Sequence, residues 1–497
     1  VAGSPEGGPA TALSKRAADP PYDGGMSTLH DVHVWIDEAL PALARQHGVP
    51  GAALAVLADG EVFDAATGLL SLATGVEATP DSVFQIGSTT KLWTASLVMQ
   101  LVDEGKLDLD QPIRRYLPEF TIADASAAAS ITARQLLSHT AGFEGDIFTD
   151  TGKGDDCLEK FVLTLGDTPQ LFPPGERFSY NNAGYCVLGR LVEVLRERPF
   201  DDCVRAGLFE PLGLTHAANG PYEAILFRAA VGHVRPTADA ELVPAPVWAL
   251  ARSNAPAGSM LAMRPRDLLT FARMHMSEGR AADGTAVLSP DAVRLMYTPH
   301  VQLPSLGLMG DAWGLGPELF QNPAGLLAGH DGNTLGQAAF LRFVPNKGVA
   351  LALLTNGGDT FALYMDIASH VLRELAGVTL PPLPSPPATP ERIDASRFVG
   401  TYSTQILDMT VSQDDEGRIW IDQVPKGIMV EMGVQPERNE LVHYAQDSLI
   451  PVEADRGMYL PHAFVGDDGH GRAKYLHVGR AIPRVSDTTS HPAPSEA

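Results

Sequence analysis

The sequence predicts an α+β chain in which an N-terminal helix backs a hairpin-built sheet, followed by a small all-β domain. Three observations point there. Apolar residues recur at helical spacing from Ser27 to Gln46. Strand-like runs flank the turns Asp59-Gly60 and Pro345–Gly348. Beyond Gly377 the pattern changes to short alternating segments behind a proline-rich stretch. A length of 497 residues also exceeds what one hydrophobic core usually serves, so two domains or more are expected.

Residues 1–25 are rich in Gly, Ala, Pro and Ser and predict a disordered leader. Lys15-Arg16 is not followed by the apolar run of a secretion signal, so the expected location is cytoplasmic. In the first helix Leu29, Val32, Ile36, Leu40 and Leu43 form the apolar stripe, Ser27 or Thr28 the cap, and Gly48 the stop; His30 and His33 read as surface residues. Gly51 to Ala58 and Glu61 to Thr67 then form a hairpin around Asp59-Gly60. Phe84-Gln85-Ile86 approaches Gly87 like a strand, and Ser88 opens a helix running to Leu101. A short helix capped by Thr132 ends in a loop around Gly142, where His139 reads as a loop support. Pro173-Pro174-Gly175 forces a second loop, followed by a helix from Ala183 to Val194. Ala338 to Val344 and Val349 to Leu354 form a hairpin central to a sheet. These elements fill a unit spanning 26–379. Residues 380–392, with six prolines between Pro381 and Pro390, predict a stiff linker. Segments such as Val399 to Ser403, Met409 to Ser412, Arg418 to Ile421 and Lys474 to Val478 predict a small β-barrel over 393–485, and 486–497 a disordered tail. With no chemistry of its own, that barrel reads as a cover over a cleft or as a structural appendage.

Composition removes several function classes. Sixty acidic against 36 basic residues give a net charge of −24, which repels nucleic acid and anionic membranes. The longest apolar run, Val349 to Leu354, is too short to span a bilayer. Cys157, Cys186 and Cys203 have neither disulfide nor zinc spacing and are expected as buried thiols, with no metal or other cofactor.

The chemistry is concentrated in three stretches. Ser88 and Lys91 lie three apart on a helix, so hydroxyl and amine share one face; Leu92, Trp93, Ala95, Leu97 and Val98 suggest burial, which lowers a lysine pKa and leaves an amine able to accept a proton. The plainer alternative is that Ser88 caps the helix while Lys91 reaches water. Tyr180-x-Asn182 can present a phenol and an amide to one cleft, and a phenol beside an ammonium is expected to have its pKa lowered and to relay protons. In His330-Asp331-Gly332-Asn333 the glycine is expected to let a ligand approach the strand, so that the Asn333 N–H joins the Ser88 N–H as an oxyanion donor, with His330 facing the same cleft.

Ser88-x-x-Lys91, Tyr180-x-Asn182 and His330-x-Gly332, in that order and roughly 90 and 240 residues from the serine, resemble the active-site motifs of the penicillin-binding protein and class C β-lactamase superfamily. The likeness spans about Thr28 to Gly377 and includes Leu136-Leu137-Ser138-His139-Thr140-Ala141-Gly142. It implies an antiparallel sheet flanked by helices, a mostly helical lobe, and a cleft between them. It also implies that Ser88 is the acylated nucleophile, that Lys91 and Tyr180 move protons, and that Asn182, His330 and Gly332 bind substrate. His330 departs from the lysine common in β-lactamases, which favours peptidase, esterase and acyltransferase branches. Several branches carry a small C-terminal β-domain, here expected to be lipocalin-like. Overall layout is most similar to the stand-alone thioesterases that release and cyclise nonribosomal peptides. That resemblance implies a peptidyl thioester substrate ending in a D-residue, delivered by a peptidyl carrier protein; the alternative is an esterase or D-peptidase acting on esters or amides with water as acceptor.

Overall fold

The computed structural model describes residues 27–485, apart from 238–239, 308, 432 and 456–457. The expected leader and tail lie outside the described residues. The first helix, Leu29–Gln46, is closed by a capping box in which Thr28 and Asp31 satisfy each other's backbone N–H groups. It leads into Gly51–Ala58 and Glu61–Ser71, and positive φ at both Asp59 and Gly60 makes the tight turn between them.

These strands do not form a sheet alone. Gly51–Ala58 pairs antiparallel with Val349–Thr355, Ala52 opposite Thr355, so the hairpin Ala338–Val344/Val349–Thr355 completes the centre of a nine-stranded sheet. Both faces of that sheet are covered, which is why Gly51–Ala58 is buried at every position. Ala52, Leu54 and Val56 face the helices Leu29–Gln46 and Thr360–Ala376. Ala53, Ala55 and Leu57 face the larger core shared with the helical lobe, as the two-residue strand period requires.

The helix Thr90–Asp103 runs through that larger core, with every residue from Thr90 to Met99 buried. Trp93 anchors it, stacked on Phe271 with centroids 4.0 Å apart and edge-on to Phe209. The α-helix starts at Thr90 rather than Ser88, because Gly87, at φ 51°, turns the chain into a 3₁₀ turn, Gly87–Thr89. The strand-like approach is likewise short. Phe84–Gln85 pairs with Ala262–Met263 in a separate three-stranded sheet.

After an irregular proline-rich stretch, eight strands from Gly400–Ser403 to Ala481–Pro483 form an all-antiparallel, nearly closed barrel in sequential order. The Val485 N–H donating to the Thr401 carbonyl and a bridge from Tyr402 to Arg484 draw the ends together. Trp93→Ala is expected to destabilise the unit built on the large sheet by about 3–5 kcal/mol. The midpoint of its urea transition, followed by circular dichroism, measures this.

Candidate active site

Among residues 82–99, Ser88 alone is half-exposed. The tight turn lifts it out of an otherwise buried run, so its hydroxyl is the one group there that an external molecule can reach. Lys91, fully buried, sends its Nζ back to the Ser88 Oγ at 3.1 Å, and also to the Asn182 Oδ1 at 2.8 Å and the Ala257 carbonyl at 2.7 Å. Burial lowers the amine pKa from 10.5 to about 7, the Arg480 guanidinium adding to the effect, while Cys186 and Asp146 oppose it. A neutral amine has two N–H bonds and one lone pair. The Asn182 Oδ1 and the Ala257 carbonyl can only accept, so both N–H bonds go to them and the lone pair is left for the Ser88 hydroxyl.

The segment bearing Tyr180 is held by His139, itself at φ 56°. The His139 carbonyl accepts from the Ser179 N–H and its Nδ1 accepts from the Asn181 N–H, while its ring stacks on Tyr180 with centroids 4.4 Å apart. His139 is therefore a support, kept neutral chiefly by burial, with the Arg480 guanidinium adding to the effect. Asn181 caps the helix Asn182–Arg196 through the Gly184 N–H, which fixes Asn182 at the first helical position.

The Tyr180 pKa is displaced upwards, not downwards as expected beside an ammonium. Burial against His139 and Trp313 outweighs the lowering influence of Ser88 and of the Arg480 charge. Tyr180 is a phenol and not a phenolate.

Gly332 also differs from expectation. A Cβ there would stand 1.9 Å from the Ile86 carbonyl oxygen and 3.0 Å from the Ser88 nitrogen, so its bareness admits this chain's own turn rather than a ligand. Gly87 reciprocates, since a Cβ on it would stand 2.5 Å from the Asn333 nitrogen. The two glycines interlock and bring the Ser88 and Asn333 backbones together.

His330 lies in the strand Leu327–Asn333 and is only 1% exposed. Its Nδ1 donates to the Asp331 carbonyl at 2.5 Å, while burial keeps the ring neutral. Nε2 is then a buried acceptor with no partner among the described residues. Behind it Arg342 bridges Glu318 at 3.1 Å and Asp331 at 2.8 Å.

Several contributors carry no signal in the sequence. Ala257 contributes a carbonyl. Asp146 accepts from the Asn182 Nδ2 at 2.9 Å. From the barrel, the hairpin tip Val478-Gly479-Arg480 enters the site, and Arg480 pairs with both oxygens of Asp146 at 2.9 and 3.1 Å, its guanidinium 4.8 Å from the Tyr180 ring centroid. All three cysteines are buried thiols. Among the described residues there is no cluster able to hold a metal, and no helix is long and apolar enough to cross a membrane.

The β-lactamase family profile matches residues 36–372. The chain belongs to the β-lactamase family. Penicillin-binding protein 4 of Amycolatopsis lactamdurans is 46% identical over 376 residues, 75% of this chain and 98% of that protein. A crystal structure of SurE superposes with a TM-score of 0.74 at 30% identity, covering 92% of this chain and all of SurE; SurE has also been crystallised with D-Leu. The octameric penicillin-binding protein homologue of Pyrococcus abyssi shares the fold, with a TM-score of 0.60 at 19% identity over 92% of this chain and 99% of its own. Members of this family are serine hydrolases and acyltransferases, and this chain is one of them.

Gly332→Ala should cost about 1–3 kcal/mol, the order expected for forcing a side chain into a packed site. A lowered urea midpoint checks this, and an unchanged one would mean that the two backbones are not in contact.

Proposed function

We propose that this protein is a stand-alone thioesterase and macrocyclase that takes a peptide from a carrier-protein thioester onto Ser88 and releases it as a head-to-tail cyclic amide. The observation that carries the reading is the buried amine of Lys91, its pKa lowered to about 7 by burial, 3.1 Å from the hydroxyl of a half-exposed Ser88. The Ser88 oxygen attacks the thioester carbonyl as its proton passes to the Lys91 Nζ. The oxyanion rests on the Ser88 and Asn333 N–H groups. Tyr180, kept protonated, passes a proton to the departing thiol and is reprotonated from Lys91. The peptide's own amine then attacks the ester. Bound near the carbonyl at high effective molarity it outruns water, and its surplus proton returns to the Ser88 oxygen as the amide closes.

In this reading the lone-pair acceptor His330 Nε2 and the Asn182 amide hold the peptide donors and acceptors on either side of the ester. The D-Leu complex of SurE supports an acyl chain that ends in a D-residue.

A fluorophosphonate probe or fluorescent penicillin should label Ser88, and Ser88→Ala should abolish labelling. Incubation with a linear peptidyl N-acetylcysteamine thioester ending in D-Leu should yield the cyclic peptide, detected by mass spectrometry. Free acid alone would instead identify an esterase or D-peptidase with water as acceptor. Acylation should rise with pH through about 7, because the reactive form of Lys91 is the one that has lost its proton. A flat rate from pH 5 to 9 would assign the base elsewhere. Lys91→Ala should lower labelling by at least ~10²–10⁴-fold, the usual contribution of a positioned base, with circular dichroism unchanged.

A further inference from the structure

The C-terminal barrel touches the reactive centre at one hairpin tip. The Gly479 carbonyl accepts from the Tyr180 N–H at 3.0 Å, the Ala481 N–H donates to the Ser179 Oγ at 3.1 Å, and the His477 Nε2 donates to the Phe178 carbonyl at 3.0 Å. One backbone hydrogen bond and two side-chain hydrogen bonds thus fasten the tip to Phe178-Ser179-Tyr180. Held this way, Arg480 presents Nε and Nη2 as a fork to Asp146, and the same Asp146 oxygen that receives Nη2 also receives the Asn182 Nδ2.

The orientation of Asn182 decides what Lys91 can do. A side-chain amide has one accepting end and one donating end. With Oδ1 towards Lys91, Asn182 occupies an N–H bond of the amine and leaves the lone pair to Ser88. Rotated by half a turn, it would offer an N–H to that lone pair and compete with the Ser88 proton for it. Nothing in Asn182 itself prefers one rotamer. Asp146 does, because a carboxylate can only accept and so holds the donating end on its own side.

We propose that Arg480 is a positioning residue which, by fixing Asp146, sets which end of the Asn182 amide faces Lys91 and so keeps the amine's lone pair on Ser88. This assigns the barrel a task in the chemistry, and it rests on the reading of Ser88 as nucleophile and Lys91 as its base.

The pH behaviour separates positioning from charge. Facing the amine are Tyr180, Tyr185 and Cys186, whose protons are all retained because burial raises their pKa, and His139 and His330, which burial keeps neutral. The formal charges acting on it are Arg480, which favours the neutral amine, and Asp146, which favours the ammonium. Removing the first moves the acid limb of acylation to higher pH, and removing the second moves it to lower pH.

The test uses the full chain and a small alkyl fluorophosphonate, which carries no group able to reach Arg480, with labelling rates measured against pH. Arg480→Gln and Asp146→Asn should each lower the high-pH plateau by ~10–100-fold, the order expected when a reacting group is misplaced by about an ångström. Their acid limbs should move in opposite directions. The double variant should be no slower than the slower single one, because both cut one chain of contacts, and Arg480→Lys should recover part of the loss. Should Arg480→Gln fail to fold, Asp146→Asn and Arg480→Lys carry the same test. Unchanged plateaus, additive losses, or a defect confined to the KM of a peptidyl thioester would each overturn the proposal, the last by making Arg480 a substrate contact. No labelling of the unmodified protein would remove the nucleophile reading and this inference with it.

Discussion

The centre of the structure depends on how one buried amine shares its hydrogen bonds. Lys91 is excluded from water and surrounded by three oxygens, of which only the Ser88 oxygen carries a proton to give. An exposed lysine would be an ammonium at neutral pH and could only donate. Burial removes most of that preference, and the two acceptor-only oxygens direct what remains. The helix Thr90–Asp103 needs its deep setting for this reason. Its apolar neighbours supply the desolvation that a single charged partner could not.

Much of this was legible in local spacing. Ser88 and Lys91, Tyr180 and Asn182, and His330 with Gly332 are each separated by two or three residues, so regular local geometry brings each pair to one place. The first hairpin was legible for the same reason, through Asp59-Gly60. The partner of its first strand was not, because Val349–Thr355 lies some 300 residues away and nothing in either strand names the other. Ala257 acts through a carbonyl, which every residue possesses. Gly479-Arg480 looks like any turn between strands, and its importance comes from where the barrel sits.

The misread features have a common cause. Tyr180 was expected to ionise more readily because its charged neighbour could be inferred, whereas the rings that bury it come from other parts of the chain: Trp313 from a short strand one in from the sheet edge and His139 from a loop. Gly332 was expected to make room for a ligand because glycines in strands admit close approach. It does admit one, but the approaching group is the backbone at Ile86. In both cases the local chemistry was right and the neighbour was wrong.

The hairpin tip at Gly479 also bears on how the chain matures. Once residue 355 has left the ribosome, every strand of the large sheet is available to fold. Arg480 follows about 125 residues later, an interval of roughly 6–25 s at ordinary rates of synthesis. During that time the nascent polypeptide can hold a folded sheet and an exposed Ser88 while the guanidinium that sits over Tyr180 has yet to be made. The contacts that Arg480 makes with Asp146 and Tyr180 therefore exist only in molecules translated past residue 480.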